Sequence, residues 1–239
     1  MDAEARSLPE TAAPEFDAYH RSYIETVNRS IAFSGLTVDF FTRVKIDYLV
    51  DLINKRRPPA GHADIIDIGC GVANAHPLLA GRVGRIAGVD VSGACIAVAA
   101  ERNPDNQYQV YDGLNLPYPV ASFDAASAVC VFHHVPLAAR GGLAKDVRRV
   151  LRPGGVFAIF EHNPLNPLTR HAVNNCDFDR DAVLLRRQEA EALLDDAGFV
   201  DVQTQFILAV PPAGVILRRV DRLFARVPLG AQYVTVGRA

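Results

Sequence analysis

Apolar and polar positions change their rhythm once along this chain. From Phe16 to Phe33 they mix at a spacing that predicts a helix. Residues 37–56 (TVDFFTRVKIDYLVDLINKR) set Val38, Phe41, Val44, Ile46 and Leu49 at roughly helical intervals. That helix must stop at Pro58-Pro59, because proline lacks the N–H a helix interior needs and clashes with the preceding turn. Beyond Pro59, short β-branched runs alternate with helical stretches. Strands are predicted at 64–68, 85–91, 107–111, 123–132 and 155–160, with helices at 74–82, 92–102, 136–150 and 187–197. Two more strands are predicted at 199–208 and 232–237, and a basic amphipathic helix at 214–227 that docks on the sheet, lies on a membrane surface or binds an anion. Residues 164–170 (PLNPLTR) fit neither helix nor strand and read as a substrate-shaping loop or one held by its own Asn and Pro turns.

Strands alternating with helices build right-handed βαβ units, hence an α/β fold with a doubly wound, mostly parallel sheet and helices on both faces. The expected division is a disordered stretch over 1–14, a helical lid region over 15–58 and a cofactor-binding domain over 59–239. In such sheets ligands bind beyond the carboxyl ends of the strands.

Composition narrows the function. The formal net charge of −2 over 239 residues argues against a strongly basic nucleic-acid-binding domain, so no nucleic-acid partner is expected. Cys70, Cys95, Cys130 and Cys176 form no C-x-x-C pair and have no histidine at ligand spacing, which predicts reduced thiols and no metal. The acidic opening MDAEARSLPETAAP lacks the apolar segment of a signal peptide. Apolar runs such as ACIAVAA fall far short of the ~20 residues of a membrane span. A cytoplasmic protein with no integral membrane association is expected.

The sharpest chemical signal is Asp67-Ile68-Gly69-Cys70-Gly71-Val72-Ala73, which closes the first predicted parallel strand and opens a helix. Glycines there let the chain turn tightly and let a ligand come closer than a Cβ would permit. Asp90 ends the next strand, where a carboxylate can accept hydrogen bonds from two ribose hydroxyls. A nicotinamide-binding loop would need G-x-G-x-x-G, but the sixth position from Gly69 is Asn74.

With these residues the chain resembles the class I S-adenosylmethionine-dependent methyltransferases, in particular the small-molecule, methyltransferase type 11-like branch. Asp67, Gly69 and Gly71 match that family's first motif, with Ala73 in place of its third glycine. Asp112-Gly113, then Leu116-Pro117-Tyr118-Pro119, match its adenine-edge segment. Phe123-Asp124 and the strand to His133-His134 match its fourth-strand motif, and Leu151-Arg152-Pro153-Gly154-Gly155 its turn into strand five. The resemblance covers 62–161 well.

It implies a seven-stranded sheet ending in an antiparallel strand near 232–237, S-adenosyl-L-methionine as cofactor and a small-molecule methyl acceptor. The acceptor atom stays open among oxygen, nitrogen and carbon, with RNA or protein methylation as the alternative. The cofactor set it implies is Tyr23, Asp67, Gly69, Cys70, Gly71, Asp90, Val91, Asp112, Gly113 and Val129. Phe16-Asp17 and Tyr23 resemble an element that closes over the cofactor. His133, Glu161 and His162 end strands four and five and form the candidate catalytic group, with His133 or, with less support, His134 as general base or as scaffold.

Overall fold

The computed structural model describes residues 23–55, 60–212 and 214–239. The expected disordered stretch over 1–14 and the Phe16-Asp17 element lie outside the described residues. Two helices, α1 (Tyr23–Ile31) and α2 (Val38–Asn54), precede the alternating part. It runs β1 (Ile65–Ile68), α3 (His76–Leu79), β2 (Ile86–Asp90), α4 (Gly93–Arg102), β3 (Gln107–Val110), β4 (Phe123–Val129), α5 (Leu137–Val150) and β5 (Leu151–His162). It continues with α6 (Pro167–Asn174), α7 (Arg187–Asp196), β6 (Val200–Ile207), α8 (Val215–Leu223) and β7 (Gln232–Arg238).

The strands form one seven-stranded sheet in the order β3-β2-β1-β4-β5-β7-β6. Neighbours from β3 across to β5 are parallel, whereas β7 runs antiparallel to both β5 and β6. Successive side chains in a strand point to opposite faces, and both faces are buried here. Ile65 and Phe160 pack with Leu49, Ile53 and Leu79 on one side, while Ile66, Ile68 and Phe157 pack with Leu143, Val147 and Leu194 on the other. Winding reverses between β1 and β4, so their carboxyl ends flank the crevice where such folds bind ligands.

Two motif residues serve the opposite end of the sheet. The Arg152 guanidinium donates to Asp124 at 2.6 Å and to Asp64 at 3.1 Å, and Asp64 also accepts from Arg85 at 2.6 Å. The Arg85 guanidinium, with Arg152, holds the Asp64 carboxyl below its ordinary range despite partial burial. Asp124 and Arg152 therefore clasp the starts of β1, β4 and β5.

Two local expectations change, and a third is narrowed. Residues 164–170 enter a helix, α6, because Asn166 caps it by accepting from the Leu168 and Thr169 N–H groups, and Pro167 sits at its first position. Strand β4 stops at Val129 instead of reaching 132, because Cys130 adopts a left-handed φ of 57°. The basic helix is α8, and it docks: Arg218 pairs with Asp47 and Arg222 with Asp51, both on α2. Its Asp221 is 0% exposed and accepts from the Tyr48 hydroxyl and from the N–H groups of Leu208, Ala209 and Val210. No described helix is long and apolar enough to cross a membrane.

Candidate active site

The turn after β1 alternates left-handed residues, with φ of 66° at Gly69, 53° at Gly71 and 56° at Ala73. A Cβ at Gly69 would stand 2.6 Å from Val131 Cγ2, so no other residue fits there without displacement. A Cβ at Gly71 would meet nothing within 4 Å, and Gly71 lines a cavity, so the space beside its backbone is open to a ligand. Ala73 holds a left-handed conformation that costs an L-residue about 1 kcal/mol more than glycine. Ala73→Gly is expected to raise the unfolding free energy by roughly that amount in a urea titration; a loss of stability would show that the Ala73 methyl packs better than its backbone is strained.

Two carboxylates fix this turn. Asp67 accepts from the Ser127 hydroxyl at 2.7 Å and lies 3.2 Å from His76 Nε2, while His76 Nδ1 meets the Tyr108 hydroxyl at 2.6 Å. Asp90 accepts from the Gly71 N–H at 2.8 Å with one oxygen and from the Ser92 N–H at 2.9 Å with the other. Burial pushes the Asp90 carboxyl upward against the pull of the Ser92, Gly71 and Val91 N–H groups. A carboxylate has about four lone-pair sites, so room remains for a further donor. Ser92 in turn caps α4 by accepting from the Cys95 N–H.

A cavity of about 740 Å³ opens over this turn. Asp67, Gly69, Cys70, Gly71, Asp90, Val91 and Val129 line it, as does His162. Val27, Ile31, Phe33, Phe41 and Leu168 supply apolar wall from α1, α2, α6 and the α1–α2 connection. Lys45 reaches the same space from α2, 3.8 Å from Cys130 Sγ. Asp112 and Gly113 are not in this lining. Asp112 spends its carboxylate on its own loop, accepting from the Leu114 and Asn115 N–H groups and the Asn115 side chain. Tyr111 faces the cavity instead. Tyr23 begins α1, and its side chain lies outside what is described.

At the ends of β4 and β5 the expected catalytic group separates. Glu161 is 0% exposed and lies behind the cavity wall, accepting from the Phe132 N–H at 2.9 Å and from His133 Nδ1 at 2.5 Å. His133 is 2% exposed and likewise lies behind the wall. Burial alone would lower its pKa, but Glu161 and Asp179 together push it up to about 10. His133 is thus turned away from the cavity, with Nδ1 on Glu161 and Nε2 facing Asp179. His134 and His162 face the cavity, and burial followed by the charge on His133 pushes both down to about 4.

Asp179 joins them from a short 3-10 turn, Asp177–Asp179. Its Oδ1 lies 3.3 Å from His133 Nε2 and 3.5 Å from His134 Nε2. Neither Asp179 nor Lys45 is marked by any local sequence pattern.

A doubly wound sheet with a glycine turn and an acidic residue at the end of the second strand is an arrangement in which α/β folds bind nucleotide cofactors. The profile of the methyltransferase-domain family matches residues 66–159. The chain is 27% identical over 211 residues to the 24-methylenesterol C-methyltransferase 2 of rice, covering 82% of this chain and only 56% of that enzyme. It is 30% identical over 146 residues to an uncharacterized methyltransferase of Synechocystis, covering 58% of this chain and 68% of that protein. Among solved structures, a SAM-dependent methyltransferase of Thermotoga maritima superposes with a TM-score of 0.65 at 19% identity, covering 93% of this chain and 97% of that one. The chain belongs to the class I S-adenosylmethionine-dependent methyltransferases.

Proposed function

We propose that this chain transfers the methyl group of S-adenosylmethionine to an oxygen, nitrogen or carbon atom of a small, largely apolar molecule. The observation that carries the reading is the cavity of about 740 Å³, which joins the Gly69–Gly71 turn to His134 and His162 and to an apolar wall. Its size suits a cofactor and a small acceptor side by side. An apolar lining recognises an apolar acceptor, whereas RNA would call for a basic surface.

The residues present fit the cofactor. Open space at Gly71 admits a ligand against bare backbone, and the free lone pairs of Asp90 suit the two ribose hydroxyls. Cys70, Val91 and Tyr111 supply apolar contact around them. When bound, the cofactor's sulfonium supplies an electrophilic methyl carbon with a neutral thioether as leaving group. The protein's work is then to align the acceptor with that carbon and to keep water out. Val27, Ile31 and Phe33 line the cavity from the N-terminal side, where they can serve that exclusion.

A labelled-methyl assay against fractionated small-molecule extract, with RNA and protein fractions in parallel, tests the reading. Label in the small-molecule fraction is expected; label in RNA or protein alone would overturn it. If α1 closes over the bound cofactor, S-adenosylhomocysteine is expected to slow hydrogen exchange across 23–36. Equal exchange with and without it would reduce α1 to ordinary packing.

A further inference from the structure

We propose that His133, His134 and Asp179 form a binding site for one divalent transition-metal ion of the zinc type. One ligand atom from each, an imidazole nitrogen or a carboxylate oxygen, lies within 4.8 Å of the other two. The two measured edges, 3.3 Å and 3.5 Å to Asp179 Oδ1, match the ~3.4 Å edge of a tetrahedron built on metal–ligand bonds of ~2.1 Å. Three protein ligands and one open position are the arrangement of catalytic zinc.

A second observation points to a ligand. His133 Nε2 is buried and makes no hydrogen bond among the described residues, although Asp179 lies close by. Its close neighbour, Asp179 Oδ1 at 3.3 Å, falls outside hydrogen-bond geometry, and a metal ion between the two would satisfy both. The other ring nitrogen, Nδ1, is held by the Glu161 carboxylate at 2.5 Å. That leaves Nε2 as the coordinating atom and supplies the carboxylate–histidine support that orients metal-bound imidazoles. Asp179 and Glu161 also bring two negative charges, which balance a dication. The donor set of two imidazoles and one carboxylate suits zinc, iron or manganese, whereas magnesium and calcium prefer all-oxygen shells.

The ligands are preorganised. The Asp179 N–H donates to Cys176 C=O at 3.0 Å, and the Val183 N–H donates to the His133 C=O at 2.9 Å. The loop carrying Asp179 is thus pinned to the backbone of a ligand it must meet. His134 and Asp179 line the cavity, so the open position faces the acceptor space. A cation there acidifies an acceptor hydroxyl and orients its oxygen. This last consequence, which narrows the acceptor to an oxygen acid, rests on the methyl-transfer reading; the metal site itself does not.

Tag-free protein, stripped with chelator and titrated calorimetrically with Zn²⁺, is expected to bind one equivalent. Co²⁺ in its place is expected to give the visible absorption of four-coordinate cobalt. Asp179→Ala and His134→Ala are expected to weaken binding at least about 100-fold, and Glu161→Gln by about 10–100-fold. S-adenosylhomocysteine binding and thermal melting, measured on every variant, separate loss of the metal site from loss of fold. Failure of the wild type to bind Zn²⁺, or Asp179→Ala binding as tightly as wild type, would overturn the site. Metal binding without any affinity for S-adenosylhomocysteine would keep the site and sink the methyl-transfer reading.

Discussion

Asp90→Ala is expected to weaken S-adenosylhomocysteine binding by about 10²-fold or more. The ribose hydroxyls would lose two charge-assisted hydrogen bonds of about 1.5–3 kcal/mol each, and each 1.4 kcal/mol is a decade in affinity. The effect has a second origin. Asp90 also holds the N–H groups of Gly71 and Ser92, so its removal loosens the turn that lines the cavity and the cap of α4. Asp90→Asn, which retains an acceptor oxygen, is expected to fall between the two. Calorimetry showing unchanged affinity in a folded Asp90→Ala variant would remove Asp90 from the site.

The largest loss of stability is expected at Asp221, far from any motif. Its buried carboxylate accepts four hydrogen bonds, three of them from the successive N–H groups of Leu208, Ala209 and Val210. Asp221→Ala leaves those donors and the Tyr48 hydroxyl without their acceptor, at a cost of about 3–5 kcal/mol. The carboxylate is also what fastens α8 and the segment after β6 to α2. Chemical denaturation measures the loss; a change below about 1 kcal/mol would mean that water replaces the carboxylate.

What the sequence disclosed follows the range of the interactions involved. Strand β1 is buried on both faces and reads as an isoleucine run broken only by Asp67, and the glycines after it are local requirements of backbone angle. Both are legible because neighbours in sequence decide them. Helix α6 escaped because Asn166-Pro167 reads equally well as a turn, and what anchors it is long-range: Val173 is buried and the Thr169 hydroxyl donates to Ala231 C=O. Asp112 is legible as a turn residue for the same reason as those glycines, since its carboxylate accepts from the residues just after it. The meeting of His133 and His134 with Asp179 depends on a hydrogen bond between distant backbone segments, which no spacing rule encodes.

The placement of β7 has a consequence for how the protein is made. During synthesis β6 emerges before β7, yet the two can reach β5 only with β7 between them. Until Gln232–Arg238 are available, β5 presents an unpaired inner edge and β6 has no partner strand at all. Gln232 is also the residue whose side-chain amide stands 3.4 Å from His162. The half of the cavity that would hold the acceptor is therefore assembled last, by an insertion rather than an extension. Open edges of this kind recruit strands from other chains. Ribosome-stalled or clipped chains lacking β7 are expected to aggregate, even though the cofactor half of the sheet has all its strands.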